Sequence, residues 1–147
     1  MVLRVVRALL GPVEAADAWS ETFLAALEAY PRLRPDSNVR GWLVTIAHRK
    51  AIDSLRATTR APSPSEHLTD HPADAGDVLD ADGDPELWAA LNALPFKQRA
   101  AVAYHHLAGL PYAEVGELID SSAVAARRSA ADGLARLRRT YRTGAAS

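Results

Sequence analysis

The side chains best suited to chemistry share one predicted helix, "NVRGWLVTIAHRKAIDSLRATTR", residues 38–60. At about 100° per residue, one side of this helix carries a core stripe, formed by Leu43, Val44, Ala47, Ala51 and Leu55. The opposite side carries a tryptophan and a charged column, formed by Trp42, Arg49, Asp53, Arg56 and Arg60. Arginines one or two turns apart can follow phosphates along a strand, and an indole can stack on a base. The rival interpretation places Trp42 in a helical core beside solvated arginines.

Charge is distributed unevenly along the 147 residues, although the net charge is only −1. Residues 1–60 hold nine Lys/Arg and six Asp/Glu, whereas residues 61–90 hold eight acids and no Lys or Arg. Residues 91–147 are basic again, with eight Lys/Arg and four Asp/Glu. Two basic modules therefore flank an acidic connector, and a basic module is suited to a polyanionic partner.

The fold predicted from composition is all-α, because good helix formers dominate and alternating β-branched runs are absent. We expect a helical domain over residues 1–60, an acidic flexible linker over 61–85 and a second helical domain over 86–147. The linker is rich in Pro, Ser, Asp and Gly, and so has too few apolar side chains to offset its chain entropy.

The second domain contains a helix-turn-helix pattern. A short helix over about 112–119 is followed by a turn near 120–122 and a long basic helix from about Ala123. Gly116 would allow a second helix to approach closely, and Ser121 or Ser122 could cap the long helix. Many αα-hairpins share this layout, so the pattern alone leaves open a solvated basic helix.

No catalytic or metal-binding pattern is found in the sequence. His105 and His106 are adjacent and therefore diverge on a helix, and neither H-E-x-x-H nor G-x-S-x-G occurs. The chain has no cysteine, which excludes disulfide and thiolate chemistry. We expect no enzyme activity, no metal and no cofactor.

The order of these elements resembles that of a small two-domain RNA polymerase sigma factor of the extracytoplasmic-function group. "DAWSETFLAALEAYPRLRPDSNVRGWLVTIAHRKAIDSLR" is similar to the second conserved region of that family. "LNALPFKQRAAVAYHHLAGLPYAEVGELI" with the helix after it is similar to the fourth. Members of the family usually begin with a longer first helix, so either the start lies upstream or the first helix is short here.

The resemblance implies roles for residues of the first domain. Asp17, Glu21 and Thr22 would dock on the coiled-coil clamp of the largest polymerase subunit. The loop over 32–38 would receive a flipped base of the minus-ten element. The implied minus-ten contacts are Leu33, Arg34, Asn38, Trp42, Arg49, Lys50, Arg56 and Arg60.

In the second domain, the resemblance implies contacts with the minus-thirty-five element. These contacts fall on Ser122, Arg127, Arg128, Arg138, Arg139 and Arg142. Asp120 stands where the family usually has a turn glycine, and Asp can adopt the left-handed region. Alanines at 123, 125, 126, 130 and 131 thin out the recognition helix, so phosphate anchoring is better supported than base recognition.

The resulting prediction is a cytoplasmic transcription initiation factor whose partners are core RNA polymerase and promoter DNA. An anti-sigma factor is a further candidate partner, and no membrane span is expected. Two alternatives stay open at this stage. The chain could be a helix-turn-helix regulator that acts without polymerase, or a degenerate sigma-like interaction module.

Overall fold

The computed structural model describes the backbone of residues 1–60 and 84–146, and the side chains of residues 1–57 and 84–141. Seven α-helices occupy these ranges: α1 Val2–Leu9, α2 Pro12–Ala29, α3 Val39–Arg60, α4 Pro85–Asn92, α5 Phe96–Val102, α6 Tyr112–Leu118 and α7 Ala123–Ala146. A 3-10 turn, Tyr30–Arg32, follows α2, and a π-helical turn, Ala103–Leu107, follows α5. The described part of the chain contains no strand, which confirms the all-α prediction.

Side-chain caps fix the starts of three helices. The Asn38 Oδ1 accepts a hydrogen bond from the backbone N–H of Gly41 at 3.2 Å, and so caps α3. The Ser122 Oγ accepts one from the N–H of Ala125 at 3.0 Å and caps α7. Asp84 caps α4 through the N–H of Glu86. Of the two caps that the sequence offered for α7, Ser121 and Ser122, the structure therefore uses Ser122.

The first three helices pack through small side chains. Val44, Ala47 and Ala51 of α3 are fully buried and Leu43 and Leu55 are half-buried, which confirms the predicted core stripe. On α2 the buried residues are Ala15, Ala18, Thr22 and Ala26. Small residues on both helices let their backbones approach closely, so the larger apolar side chains of α2 are left on its outer face.

Helix α1 joins the two predicted domains. Val5, Val6 and Leu9 are fully buried, and their cluster continues without a break into the second domain. The Asn92 Nδ2 donates to the Arg7 carbonyl at 3.2 Å, and the Arg99 Nη1 donates to the Leu9 carbonyl at 2.5 Å. The two domains therefore share one apolar core and are tied by backbone-directed hydrogen bonds.

The helix-turn-helix is formed by α6 and α7. A Cβ on Gly116 would lie only 2.6 Å from the Ser121 carbonyl oxygen, which explains why this position lacks a side chain. Asp120 has φ +55° and confirms the predicted left-handed turn residue, while Gly109, with φ +74°, takes the left-handed position after the π-helical turn. The predicted linker over 61–85 lies outside the described residues, except for Asp84 and Pro85.

Candidate nucleic-acid and polymerase interface

The arginine column of α3 is largely open to solvent. Arg49, Asp53 and Arg56 are exposed, and Lys50 is half-buried beside them. The backbone of Arg60 continues the helix, but its side chain lies outside the described residues. A row of exposed guanidinium groups on one helix face is suited to successive phosphates.

Trp42 lies in a cleft between the two domains. This cleft has a volume of about 380 Å³ and is lined by Asn38, Gly41, Trp42, Thr45, Leu110, Glu114, Glu117 and Leu118. Trp42 itself is half-buried. This burial is intermediate between an indole free to stack on a base and one enclosed in a helical core, the two interpretations that the sequence left open. The Asn38 Nδ2 donates to the Glu114 Oε1 at 3.2 Å across the cleft. Carboxylates of α6 therefore face part of the predicted minus-ten surface.

The loop before α3 contributes less to this cleft. Leu33 is half-buried and Arg34 is exposed. Arg40, at the start of α3, places its Nη1 3.1 Å from where a Cβ of Gly109 would lie. Among the loop residues predicted to contact the minus-ten element, Asn38 is the one with a hydrogen bond to the second domain, through Glu114.

A second polar contact between the domains joins His48 of α3 to Tyr104 of the π-helical turn. The His48 Nδ1 and the Tyr104 hydroxyl are 2.5 Å apart, and the rings meet edge to face with centroids 5.5 Å apart. Burial lowers the pKa of His48, although the Asp120 carboxylate partly offsets this effect. Burial also raises the pKa of the Tyr104 hydroxyl, which is fully enclosed. A neutral imidazole accepting from the phenol satisfies both groups.

The outer face of α2 is unusually apolar. Its exposed large side chains are Trp19, Phe23, Leu24, Leu27 and Tyr30 at its end, and Leu27 retains 71% of its accessible surface. The rings of Trp19 and Phe23 pair with centroids 5.3 Å apart. Asp17 and Glu21 are exposed on the same helix. The sequence predicted the acids but not the apolar surface that accompanies them.

Thr22, the third predicted docking residue, is placed differently. Its side chain is 0% exposed, and its hydroxyl donates to the Ala18 carbonyl within α2 at 2.6 Å. In this arrangement Thr22 supports the packing of α2 and offers no surface to a partner. The docking hypothesis therefore rests on Asp17 and Glu21.

The recognition helix α7 exposes most of the residues predicted to contact DNA. Those exposed are Ser122, Arg127, Arg128, Arg138 and Arg139, whereas the Arg142 side chain lies outside the described residues. Ser122 uses its hydroxyl as the cap of α7. Asp132 is exposed on the same helix and adds a negative charge among these arginines. Ala126, Ala130 and Leu137 are buried and form the inner side of the helix.

Arg127 has an aromatic neighbour that the sequence did not predict. Its guanidinium carbon lies 5.0 Å from the ring centroid of Tyr112, the first residue of α6. The Tyr112 ring in turn stacks on His105 at 3.9 Å. Such a pairing depends on the π-helical turn and on the angle between α6 and α7, neither of which a spacing pattern specifies.

The described residues contain no group of three or more His, Cys, Asp or Glu side chains arranged to hold a metal ion. None of the described helices is long and apolar enough to cross a membrane.

Known families and structures share this arrangement. Residues 1–61 match Sigma-70 region 2, and residues 85–137 match Sigma-70, region 4. The ECF RNA polymerase sigma factor SigD of Mycobacterium tuberculosis (strain H37Rv) is 32% identical over 149 residues, covering 94% of this chain and 70% of SigD. The protein therefore belongs to the ECF group of RNA polymerase sigma factors.

Two further relatives define the extent of the similarity. ECF sigma factor SigC of Mycobacterium tuberculosis (strain CDC 1551) is 35% identical over 119 residues, covering 77% of this chain but 62% of SigC. The sigma factor RpoE of Bartonella quintana, solved in complex with the anti-sigma factor NepR, superimposes with a TM-score of 0.70 at 20% identity. That superposition covers 96% of this chain and 92% of RpoE, and it shows a shared fold.

Proposed function

We propose that this protein is a transcription initiation factor that binds core RNA polymerase and directs it to promoters. In this proposal the first domain docks on polymerase and contacts the minus-ten element, and the second domain contacts the minus-thirty-five element. The factor itself catalyses no reaction and needs no cofactor. Because promoter DNA and polymerase must both be reached, its site of action would be the cytoplasm.

The observation that carries the proposal is the outer face of α2. At about 100° per residue, Leu24 lies roughly 60° from both Glu21 and Leu27, so the acids and the apolar side chains form one continuous surface. An exposed apolar patch with charges at its edge is typical of a protein-binding site. Acids at that edge would favour a basic helical partner, which is the chemistry expected of the polymerase clamp.

Two basic surfaces support the assignment of promoter DNA as the second partner. Arg49 and Arg56 on α3, and Arg127 and Arg128 on α7, are all exposed. Each surface could neutralise several phosphates, and such binding weakens steeply as salt rises. An anti-sigma factor is a further proposed partner, suggested by the fold shared with a sigma factor that was solved bound to one.

Binding to polymerase tests the proposal directly. The purified chain is mixed with core RNA polymerase and analysed by size exclusion, beside an Asp17→Arg/Glu21→Arg variant. We expect the wild type to co-migrate with polymerase and the variant to lose most binding, because two attractions become repulsions. A Glu86→Arg variant, changed at an exposed acid of α4, controls for surface charge and should bind like wild type.

The outcomes separate the candidate functions. If the folded wild type does not bind polymerase, initiation through polymerase is wrong for this chain. A salt-dependent affinity for duplex DNA would then favour a regulator that acts alone. Loss of binding in the Glu86→Arg control as well would show that net charge, and not the surface of α2, determines the interaction.

A further inference from the structure

Arg127 is held by a ring on the other helix of the helix-turn-helix. Its guanidinium carbon lies 5.0 Å from the centroid of the Tyr112 ring, within the range of a cation–π interaction. Tyr112 is half-buried at the start of α6, whereas Arg127 is exposed on α7. The aromatic ring thus provides a fixed surface for a side chain that otherwise faces solvent.

A second aromatic ring, that of His105, holds the Tyr112 ring in place. The His105 ring stacks on it at 3.9 Å with an interplanar angle of 15°. The His105 Nδ1 donates to the Leu110 carbonyl at 2.8 Å, since a carbonyl oxygen can only accept. His105 belongs to the π-helical turn, so that turn, through His105 and Tyr112, determines where the guanidinium of Arg127 lies.

Arg128 provides a contrast on the same helix. It is also exposed, but none of the cation–π pairs among the described residues involves its guanidinium group. Bidentate recognition of guanine O6 and N7 requires the planar fork of an arginine to be correctly oriented. A guanidinium that is already oriented loses less conformational freedom on binding than one that is free in solvent.

We propose that Tyr112 is a positioning residue that orients Arg127 and so sharpens the choice of one base pair in the minus-thirty-five element. This inference rests on the proposed function of the second domain. It concerns selectivity at a single base pair and not the overall affinity for DNA. Tyr112 acts through Arg127, so its removal should have no effect where Arg127 is already absent.

The test uses holoenzyme assembled from the full chain and core RNA polymerase, with duplexes randomised across the minus-thirty-five element. Arg127→Ala identifies the base pair whose preference depends on Arg127. We expect Tyr112→Leu to weaken the preference at that same pair roughly two- to fivefold, as the loss of one cation–π contact would. Tyr112→Phe keeps a ring and should retain the preference. Tyr112→Leu should add nothing in an Arg127→Ala background, but should keep its effect in an Arg128→Ala background.

Two results would overturn the inference. One is an unchanged preference in Tyr112→Leu, and the other is a uniform loss of affinity for every sequence, which a purely structural role would cause. A different result would contradict the proposed function itself, namely that wild-type holoenzyme shows no sequence preference in the minus-thirty-five element. In that case the proposed role of Tyr112 would be wrong as well.

A measurement on the wild type avoids dependence on the folding of any variant. The Arg127 Nε–H resonance should be shifted by the ring current of Tyr112, whereas that of Arg128 should not. Equal, unshifted resonances for the two arginines would overturn the inference without reference to DNA.

Discussion

The two surfaces predicted to contact DNA differ in what lies over them. On the first, Asn38 and Trp42 line a cleft whose opposite wall carries Glu114 and Glu117 of α6. On the second, Arg127 and the rest of the basic face of α7 are exposed. The same short helix α6 therefore supports one of the predicted DNA contact surfaces and covers part of the other. We predict that binding at the minus-ten surface requires α6 to move away, whereas binding at the minus-thirty-five surface does not.

The largest effect is expected from Tyr104, because both regions depend on it. Its side chain is fully buried and contacts His48 across the domain boundary. Tyr104→Ala should lower the free energy of unfolding by about 3–5 kcal/mol. Tyr104→Phe should lower it by only about 1 kcal/mol, since it removes one hydrogen bond. Urea denaturation of the whole chain measures both values.

The same experiment tests whether the two regions are one cooperative unit. Trp42 of the first domain and Trp88 of the second report on unfolding through fluorescence. If the shared core couples the domains, single-tryptophan versions should give coincident transitions. Separate transitions, with Tyr104→Ala shifting only that of Trp88, would contradict the coupling.

A smaller effect is expected at Gly116, which lies inside the helix-turn-helix. An added Cβ would meet backbone atoms, the Ser121 carbonyl oxygen at 2.6 Å and Ser122 at 3.0 Å. Gly116→Ala should therefore lower the free energy of unfolding by about 1–3 kcal/mol and displace α7 relative to α6. Calorimetry measures the first effect, and binding of a minus-thirty-five duplex measures the second.

Gly41→Ala is the matched control for this substitution. The Cβ there would approach the ends of the Asn38 and Glu114 side chains, at 2.9 and 3.2 Å, and side-chain ends can move. Its effect on stability should be smaller. Equal losses for both variants would show that the tight backbone approach at Gly116 is not what constrains that position.

The helices themselves were largely predictable, because each depends on local pattern and caps. The core stripe of α3 and the left-handed Asp120 both follow from neighbouring residues in the chain. The cap at Ser122 was one of the two that the sequence offered for α7. Local interactions of this kind are encoded within a few residues, which is why they can be inferred without the fold.

Long-range contacts were not predictable in the same way. Asn38 and Glu114 are 76 positions apart, and His48 and Tyr104 are 56 apart. Helix α2 shows the limit within a single element, since it buries alanines and exposes Leu27. Helical spacing indicated the helix but not its inner face, because that face depends on how closely α1 and α3 approach.

The contact between Asn38 and Glu114 offers a way to test the two predicted DNA contact surfaces separately. Glu114→Ala removes the partner of the Asn38 Nδ2 and one carboxylate from the cleft. Binding of a single-stranded minus-ten oligonucleotide to the free protein should rise roughly two- to fivefold, the equivalent of about one net hydrogen bond. Binding of a minus-thirty-five duplex should be unchanged.

Glu86→Ala removes an exposed acid of α4 that does not line the cleft, and serves as the control for net charge. If it raises oligonucleotide binding as much as Glu114→Ala does, then general electrostatics explains the gain. If Glu114→Ala strengthens duplex binding equally, the two surfaces do not differ in their accessibility to DNA.

The smallest expected effect is the pH dependence of the domain contact. Burial, followed by the nearby Arg49, lowers the pKa of His48 below its usual value of 6.5, and Asp120 opposes this. The unfolded chain therefore binds more protons than the folded one below about pH 6.5. The stability contributed by neutral His48 is present above that pH and is lost as the pH falls through the lowered pKa.

His48→Gln should accordingly flatten the decline of the melting temperature between about pH 7 and 5, because glutamine stays neutral and can still accept from the Tyr104 hydroxyl. Partial burial and neighbouring His105 also lower the pKa of His106, so His106→Gln measures a parallel contribution from outside the domain contact. If the melting temperatures of wild type and His48→Gln decline with the same slope, protonation of His48 does not weaken its contact with Tyr104. That contact would then stabilise the folded protein to the same extent at every pH in this range.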